Sequence, residues 1–318
     1  MRIKKRYICL GCIAVLILFI WVNNTSLFCD KSGEYSFLAH RGLAQTFDVS
    51  AVEWDTNTAE IIDEPEHPYL ENTLESMKVA FAYGAQCVEL DIQLTKDGYL
   101  AIFHDDDLSM RTDGTGAVSD WTMEELKQLD VGYGYTADGG KTYPFRGKGV
   151  GMMPELQEVL DAFPDKELLI HMNHGDARTA EVLWTYLDDM SEERLHQITV
   201  YGNDEGLDYL REQNENIRVL SSKRLKEALL KYELWGWTGY IPNKIKNMEI
   251  HIPLKYAKFL WGWPNKFVER MESVNTKVVI VEGNGKWSEG FDTKESLENI
   301  PEGYSGYVWT NRIDIVNK

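Results

Sequence analysis

The residues best suited to chemistry lie on one strand–turn–strand stretch, residues 89–105. Within residues 87–94, Glu89 and Asp91 alternate with apolar residues, and this period of two predicts a β-strand with both carboxylates on one face. Two carboxylates side by side on a rigid strand suit a hard divalent cation such as Ca²⁺ or Mg²⁺. They could equally lie on the solvent-exposed face of an edge strand, and this stretch alone does not separate the two interpretations.

Other polar residues follow short apolar runs. Residues 36–39 predict a strand that ends at His40-Arg41-Gly42, and the run 100–103 ends at His104. A Lys-Asp-Gly turn at 96–98 joins the run 100–103 to the preceding strand, because glycine tolerates a positive φ. For either histidine alone, a structural role is the ordinary interpretation, so the order of the motifs along the chain has to be considered.

That order resembles the glycerophosphodiester phosphodiesterase family over roughly residues 36–173. The motifs that carry the resemblance are His40-Arg41-Gly42, Glu71-Asn72-Thr73, Glu89-x-Asp91, Lys96-Asp97-Gly98, His104-Asp105 and the loop Arg111-Thr-Asp-Gly-Thr-Gly116. The resemblance implies a metal-dependent hydrolase that cleaves small glycerophosphodiesters to glycerol phosphate and an alcohol.

The resemblance also implies roles for individual residues. His40 and His104 would act as general base and general acid, a task suited to side chains whose ordinary pKa lies near neutrality. Arg41 would bind the phosphate oxygens, because guanidinium pairs with them through two hydrogen bonds. Glu71 would be the supporting glutamate near metal and substrate, although it could also be an ordinary residue at the start of a helix.

The fourth strand departs from the family pattern. The family has Glu-x-Lys there, whereas this chain has His171 and Asn173. His171 then becomes the candidate third metal ligand beside Glu89 and Asp91, but imidazole removes a negative charge and favours softer ions than Ca²⁺. Asn173 cannot neutralise phosphate. Asn311 likewise stands where the family has Asp.

These departures and two further features keep alternatives open. The first alternative is a catalytically weak barrel that binds a phosphorylated headgroup or a glycan. The second is a phospholipase-D-like enzyme that acts on intact lipids, and it is suggested by an N-terminal apolar run and by the repeat Leu234-Trp-Gly-Trp237 and Leu260-Trp-Gly-Trp263. The tryptophans could line a pocket or touch lipid, or simply pack the flank of the domain.

Strands alternate with amphipathic helices along the whole chain, which predicts an α/β fold with a parallel sheet and crossover helices. Eight or nine strands can be counted, and periodicity does not decide between an open sheet and a closed barrel. The family resemblance implies a (β/α)₈ TIM barrel. The candidate residues on the first three strands lie towards the C-terminal strand ends, where the active sites of such barrels assemble. They are His40, Glu89, Asp91 and His104.

The N-terminus is organised differently. Residues 1–29 hold four basic and no acidic residues, and an uncharged apolar run spans 7–22. We predict a single-pass transmembrane helix within 1–29, with a signal sequence as the rival interpretation. The positive residues before the run place the N-terminus in the cytoplasm and the barrel, residues 30–318, outside it.

The barrel domain is acidic. The whole chain has a net charge of −18, and residues 30–318 hold 29 basic against 51 acidic residues, or −22. This charge argues against nucleic acid or an anionic membrane surface as the main partner, and an anionic diester then requires local cations. An acidic insertion, residues 43–70, would be a lid or a solvated loop. Cys87 would be a buried thiol, and a Cys29–Cys87 disulfide stays open for an extracytoplasmic domain.

Overall fold

The computed structural model describes residues 2–29, 33–49, 52–53, 56–173, 175–284 and 289–317. Nine strands follow one another along these residues. They are β1 (Ser36–Ala39), β2 (Ala85–Leu94), β3 (Leu100–Ile102), β4 (Glu167–Met172), β5 (Ile198–Tyr201), β6 (Arg218–Leu220), β7 (Glu249–Pro253), β8 (Lys277–Val281) and β9 (Tyr307–Thr310).

Helices fill most of the connections between strands. They are α1 (Arg2–Asn24), α2 (Leu74–Ala82), α3 (Met123–Leu126), α4 (Leu156–Ala162), α5 (Ala177–Leu187), α6 (Glu192–Leu195), α7 (Asp204–Gln213), α8 (Ser222–Trp235), α9 (Leu254–Ala257), α10 (Asn265–Glu272), α11 (Lys294–Leu297) and α12 (Ile313–Val316). Helix α2 begins at Leu74, because Thr73 caps it and Asn72 adopts a left-handed φ of 58°.

Eight parallel strands form a nearly closed barrel, in the order β6-β5-β4-β2-β1-β9-β8-β7. The two end strands meet where Val219 pairs with Met248, and the Val219 N–H donates to the Asn247 carbonyl at 3.2 Å. Strand β3 lies off this path and pairs antiparallel with β2. The architecture confirms the predicted (β/α)₈ barrel.

Strand β2 shows how the barrel positions its polar residues. Val88, Leu90 and Ile92 are fully buried in the large core cluster, packed against the surrounding helices. The alternate positions, Glu89 and Asp91, are equally buried. Both faces of a parallel barrel strand are covered, so the polar face predicted from sequence is the barrel interior rather than a solvent-exposed edge.

The acidic insertion at 43–70 packs against the barrel mouth over most of its described length. Phe47 pairs with Ile62, and Ile62 and Leu70 are buried in a second apolar cluster with Phe103 and Leu108. Arg312, which follows the neighbouring strand β9, forms an ion pair with Glu66. Residues 50–51 and 54–55 of the insertion lie outside the described residues.

Helix α1 contains one segment, Arg6–Asn24, that is long and apolar enough to cross a membrane, with a mean hydropathy of 2.1. None of this segment is buried against the barrel. All four cysteines, which lie within the described residues, carry free thiols. The Cys29 thiol donates to Glu269 at 3.1 Å, and burial raises the pKa of the Cys87 thiol well above its ordinary value.

Candidate active site

A cavity of about 620 Å³ opens at the C-terminal ends of the barrel strands. His40 and Arg41 after β1, His104 after β3 and His171 on β4 all line it. Part of the opposite wall is the acidic insertion, including Gln45, Phe47, Val52 and Asp63. The structure therefore brings together side chains that are far apart in the sequence, and His40 and His171 alone are separated by 131 positions.

Glu89 and Asp91 are buried, and they contact the cavity-lining residues Arg41 and His171. Glu89 Oε1 accepts a hydrogen bond from the Tyr201 hydroxyl at 2.5 Å, and Glu89 Oε2 accepts one from the Arg41 backbone N–H at 3.1 Å. Burial and the neighbouring Asp91 charge raise the pKa of Glu89 well above its ordinary value. Burial would also raise the pKa of Asp91, but Arg41 and the nearby histidines hold it well below its ordinary value.

His171 completes a possible metal-binding group with these two carboxylates. One ligand atom from each of the three residues lies within 4.8 Å of the others. The His171 Nδ1 atom is 2.7 Å from Asp91 Oδ1, and its ring stacks on Tyr201 at a centroid distance of 4.0 Å. Two buried carboxylates with one imidazole form a donor set that fits a divalent ion of intermediate hardness.

Asn72 and Tyr201 are two site residues that sequence reasoning did not assign to the site. The Asn72 amide donates to Asp91 Oδ2 at 2.9 Å, and its Oδ1 accepts from the Asp91 N–H at 3.2 Å, so Asn72 binds both the carboxylate and the backbone of Asp91. The Glu-Asn-Thr motif already contained a signal for Asn72. Tyr201 had no signal beyond its position at the end of β5.

Two arginines and two acids form a buried network beside the metal group. Glu71 Oε1 accepts from Arg41 Nη1 at 2.7 Å, and Glu71 Oε2 lies 3.2 Å from Arg111 Nη1. Arg111 Nε is 2.5 Å from Asp105 Oδ2. Arg41 also lies 3.2 Å from Asp91, through its Nε atom, and its left-handed φ of 54° turns its side chain towards these acids. Glu71 thus orients both guanidinium groups.

Replacing Arg111 with Met is expected to lower the free energy of unfolding by about 3–5 kcal/mol, because it leaves Glu71 and Asp105 buried without their shared cation. Burial would raise the pKa of Asp105, yet Arg111 holds it below its ordinary value of 3.8. The stabilisation is therefore present above pH 3.8 and fades as the pH falls further. Urea titrations at neutral and acid pH measure both effects.

The exposed Arg146 supplies a control for this prediction. Its guanidinium stacks on Tyr133 and Tyr143 at the surface, without a buried acid as partner. The Arg146→Met variant should lose far less stability than Arg111→Met. Equal losses in the two variants would contradict a buried-charge origin.

The two histidines have different partners. His40 Nδ1 is 2.7 Å from Asn311 Oδ1, and the Asn311 amide nitrogen donates to Asp292 at 2.8 Å. That donation fixes the amide orientation, so His40 Nδ1 carries the proton and Nε2 the lone pair. Burial and the Arg41 charge hold the pKa of His40 well below 6.5, and its ring is therefore neutral at pH 7.

His104 instead faces a carboxylate. Its Nδ1 atom is 2.9 Å from Asp105 Oδ1, and Asp105 stays ionised because Arg111 lies beside it. The contact through Nδ1 leaves Nε2 as the ring nitrogen that can transfer a proton to a substrate. Asn173 donates its side-chain amide to the His104 carbonyl, so it positions the segment that bears His104.

Comparisons with known proteins give a consistent result. The family model described as "Glycerophosphoryl diester phosphodiesterase family" matches residues 40–251. A glycerophosphodiester phosphodiesterase from Caldanaerobacter subterraneus is 41% identical over 102 residues, which are 32% of this chain and 38% of that protein. One from Bacillus subtilis is 41% identical over 96 residues, 29% of this chain and 31% of that protein. The matched segments span about a third of the length of these relatives.

Solved structures agree in fold over more of the chain. A glycerophosphodiester phosphodiesterase from Agrobacterium tumefaciens superimposes with a TM-score of 0.58 at 17% identity, covering 89% of this chain and 99% of that one. An Oleispira antarctica phosphodiesterase in complex with the product sn-glycerol-3-phosphate gives a TM-score of 0.53 at 19% identity, covering 88% and 94%.

Proposed function

The chain belongs to the glycerophosphoryl diester phosphodiesterase family, and on that basis we propose that it hydrolyses small glycerophosphodiesters to glycerol phosphate and an alcohol. The observation that carries this proposal is the pair of differently partnered histidines, His40 and His104, on one cavity. The related Oleispira phosphodiesterase with its bound product supports glycerol phosphate as the product here.

The histidines divide the proton transfers. His40 is neutral and has its lone pair on Nε2, so it takes the proton of the attacking hydroxyl group. His104 is oriented by Asp105 through Nδ1, and it donates a proton to the leaving alkoxide. After one turnover a proton has moved from the nucleophile to the leaving alcohol, and the two histidines return to their starting states through solvent.

Arg41 supplies the fixed positive charge for the phosphoryl group. Its guanidinium lines the cavity and is held by Glu71 and Asp91, so it is oriented before substrate enters. Asn173 occupies the position where the family has lysine, and its amide is engaged by the His104 carbonyl. Arg41 therefore supplies most of the positive charge with which the protein's own side chains neutralise the phosphate.

A divalent ion would be held by Glu89, Asp91 and His171, whose donor atoms lie close enough to share one ion. When bound, such an ion neutralises phosphoryl charge and lowers the pKa of a bound water or hydroxyl group. Two neighbouring side chains hold the carboxylates in place. The Tyr201 hydroxyl binds Glu89, and the Asn72 amide binds Asp91.

We place α1 in the membrane as a single-pass anchor, with the barrel, residues 30–318, extracytoplasmic. Its segment Arg6–Asn24 is long and apolar enough to cross a membrane. The basic residues before this segment favour a cytoplasmic N-terminus. Beyond the segment, Ser26 Oγ accepts hydrogen bonds from the backbone N–H groups of Asn265 and Lys266, which joins the end of the anchor to the barrel.

The full chain in detergent tests the proposed reaction. Release of glycerol phosphate from glycerophosphocholine and glycerophosphoethanolamine is measured with Ca²⁺, Mg²⁺, Mn²⁺ or Zn²⁺. We expect turnover with at least one ion and little with vesicle-embedded phospholipid. Binding of a diester without turnover under any ion would overturn hydrolysis and favour the binding-protein alternative, which His171 and Asn173 motivate.

A further inference from the structure

Large apolar side chains are exposed on one flank of the barrel, beside the end of α1. Six of them are each more than half exposed: Phe28, Leu230, Leu234, Trp235, Tyr256 and Phe259. We call these six residues the anchor-side patch. Single exposed apolar residues are common, but a group of this size marks a contact surface.

The patch is joined to α1 by one buried arginine. Arg270 Nη2 donates to the Asn23 carbonyl at 2.6 Å, and Nη1 donates to Asn24 Oδ1 at 3.1 Å. A cation at this position binds the unpaired carbonyl groups at the C-terminus of α1 and stabilises the negative end of the helix dipole. The same Nη1 donates to the Tyr232 hydroxyl at 2.9 Å and to the Gly236 carbonyl at 3.1 Å. The orientation of α1 is thereby coupled to the segment that carries Leu234 and Trp235.

The two Trp-Gly-Trp repeats meet at this arginine. The Trp261 indole N–H donates to the Glu233 carbonyl at 2.9 Å, and the Tyr232 hydroxyl donates to the Trp261 carbonyl at 2.6 Å. These bonds join the end of α8 to the segment after α9, so both halves of the patch belong to one surface. Neither repeat lines the catalytic cavity.

Five of the six patch residues belong to a segment whose charge is opposite to that of the chain as a whole. Residues 222–266 hold nine Lys or Arg against three Glu, a net charge of +6 in a chain of −18. Lys255 lies over the ring of Tyr256 at 5.0 Å, and Lys258 lies over Phe259 at 5.3 Å. Aromatic rings with lysines beside them are typical of the interface between lipid and water.

We propose that the anchor-side patch inserts into the headgroup layer of an anionic lipid bilayer, next to the point where α1 enters it. The occupant is the bilayer rather than a protein because the apolar α1 leaves the domain at this surface and the local charge is positive. The inference goes beyond diester hydrolysis and rests only on the membrane position of α1. It gives the barrel a fixed orientation on the membrane instead of a free tether.

Hydrogen–deuterium exchange of the full chain in nanodiscs tests this proposal without using activity. Two lipid mixtures are compared, phosphatidylcholine alone and phosphatidylcholine with phosphatidylglycerol. We expect segments 229–240 and 254–262 to exchange about five- to tenfold more slowly in the anionic nanodiscs, because each lysine near an anionic leaflet adds to binding. The exposed loop 138–148 should exchange at the same rate in both.

Matched variants separate charge from insertion. Lys255→Glu with Lys258→Glu should remove the dependence on anionic lipid, and Tyr256→Ser with Phe259→Ser should remove the protection in both mixtures. Lys96→Glu with Tyr99→Ser changes the same residue types on an exposed turn elsewhere and should leave protection intact. All three variants should keep wild-type turnover of soluble diester, which shows that they are folded.

Two results would overturn the proposal. One is equal exchange of both segments in every lipid mixture, matching that of the loop 138–148. The other is protection that depends on the number of protein copies in each nanodisc and not on the lipid, which would assign the patch to contacts between two copies of this chain.

Discussion

Replacing His40 with Ala is expected to lower kcat by about 10³-fold, and replacing His104 with Ala by a similar factor on substrates with a poor leaving group, because each removes one proton transfer. The two variants should differ on a diester with a nitrophenol leaving group. Nitrophenolate leaves without protonation. The His104→Ala variant should therefore recover most of its activity on this substrate, whereas His40→Ala should not. Steady-state kinetics with both substrates measure the difference.

The pH profile gives an independent readout for His40. Since burial and Arg41 hold its pKa well below 6.5, the ring stays unprotonated as the pH falls through 6.5, and the acid limb of the activity profile should lie below that value. His196 is exposed and outside the cavity, so His196→Ala is the control and should leave kcat unchanged. If His104→Ala stays inactive on the nitrophenyl diester, its assignment as the acid is wrong.

Replacing Asp91 with Asn is expected to reduce turnover by about 10³-fold and to abolish tight binding of a divalent ion. Asp91 is one of two buried carboxylates in the metal group and also holds Arg41 and His171. A chelator applied to the wild-type chain should give a similar loss that added ion reverses. Metal content by elemental analysis and calorimetric ion titration provide readouts other than activity.

Two further variants sharpen the metal prediction. Asp161→Asn removes a carboxylate from an exposed position on α4 and should change neither metal content nor turnover. His171→Glu should shift the preferred ion towards Ca²⁺ or Mg²⁺, because a third carboxylate replaces a nitrogen donor. An Asp91→Asn chain that keeps full metal content and activity would refute the assignment of this group.

The amino-acid sequence was sufficient for much of the fold. The alternation of strands and helices is local, since period-two and period-3.6 patterns depend on which side chains each element must bury. The order of the motifs, from His40 to His104, identified the family and nominated the site residues. The prediction that the barrel closes came only from the family resemblance. Closure depends on the pairing of Val219 with Met248, and periodicity within each element does not relate these two residues.

The partners of each site residue were decided by tertiary structure. Nothing near His40 in the sequence predicts that Asn311 accepts its Nδ1 proton, because Asn311 follows β9, far along the chain. Nothing near Glu89 predicts the hydrogen bond from the Tyr201 hydroxyl, because Tyr201 ends the distant strand β5. The same is true of Arg270 and the end of α1. Sequence patterns indicate which side chains a single helix or strand must bury. The protonation state and orientation of a buried group depend instead on the distant charges and dipoles that the closed barrel places beside it.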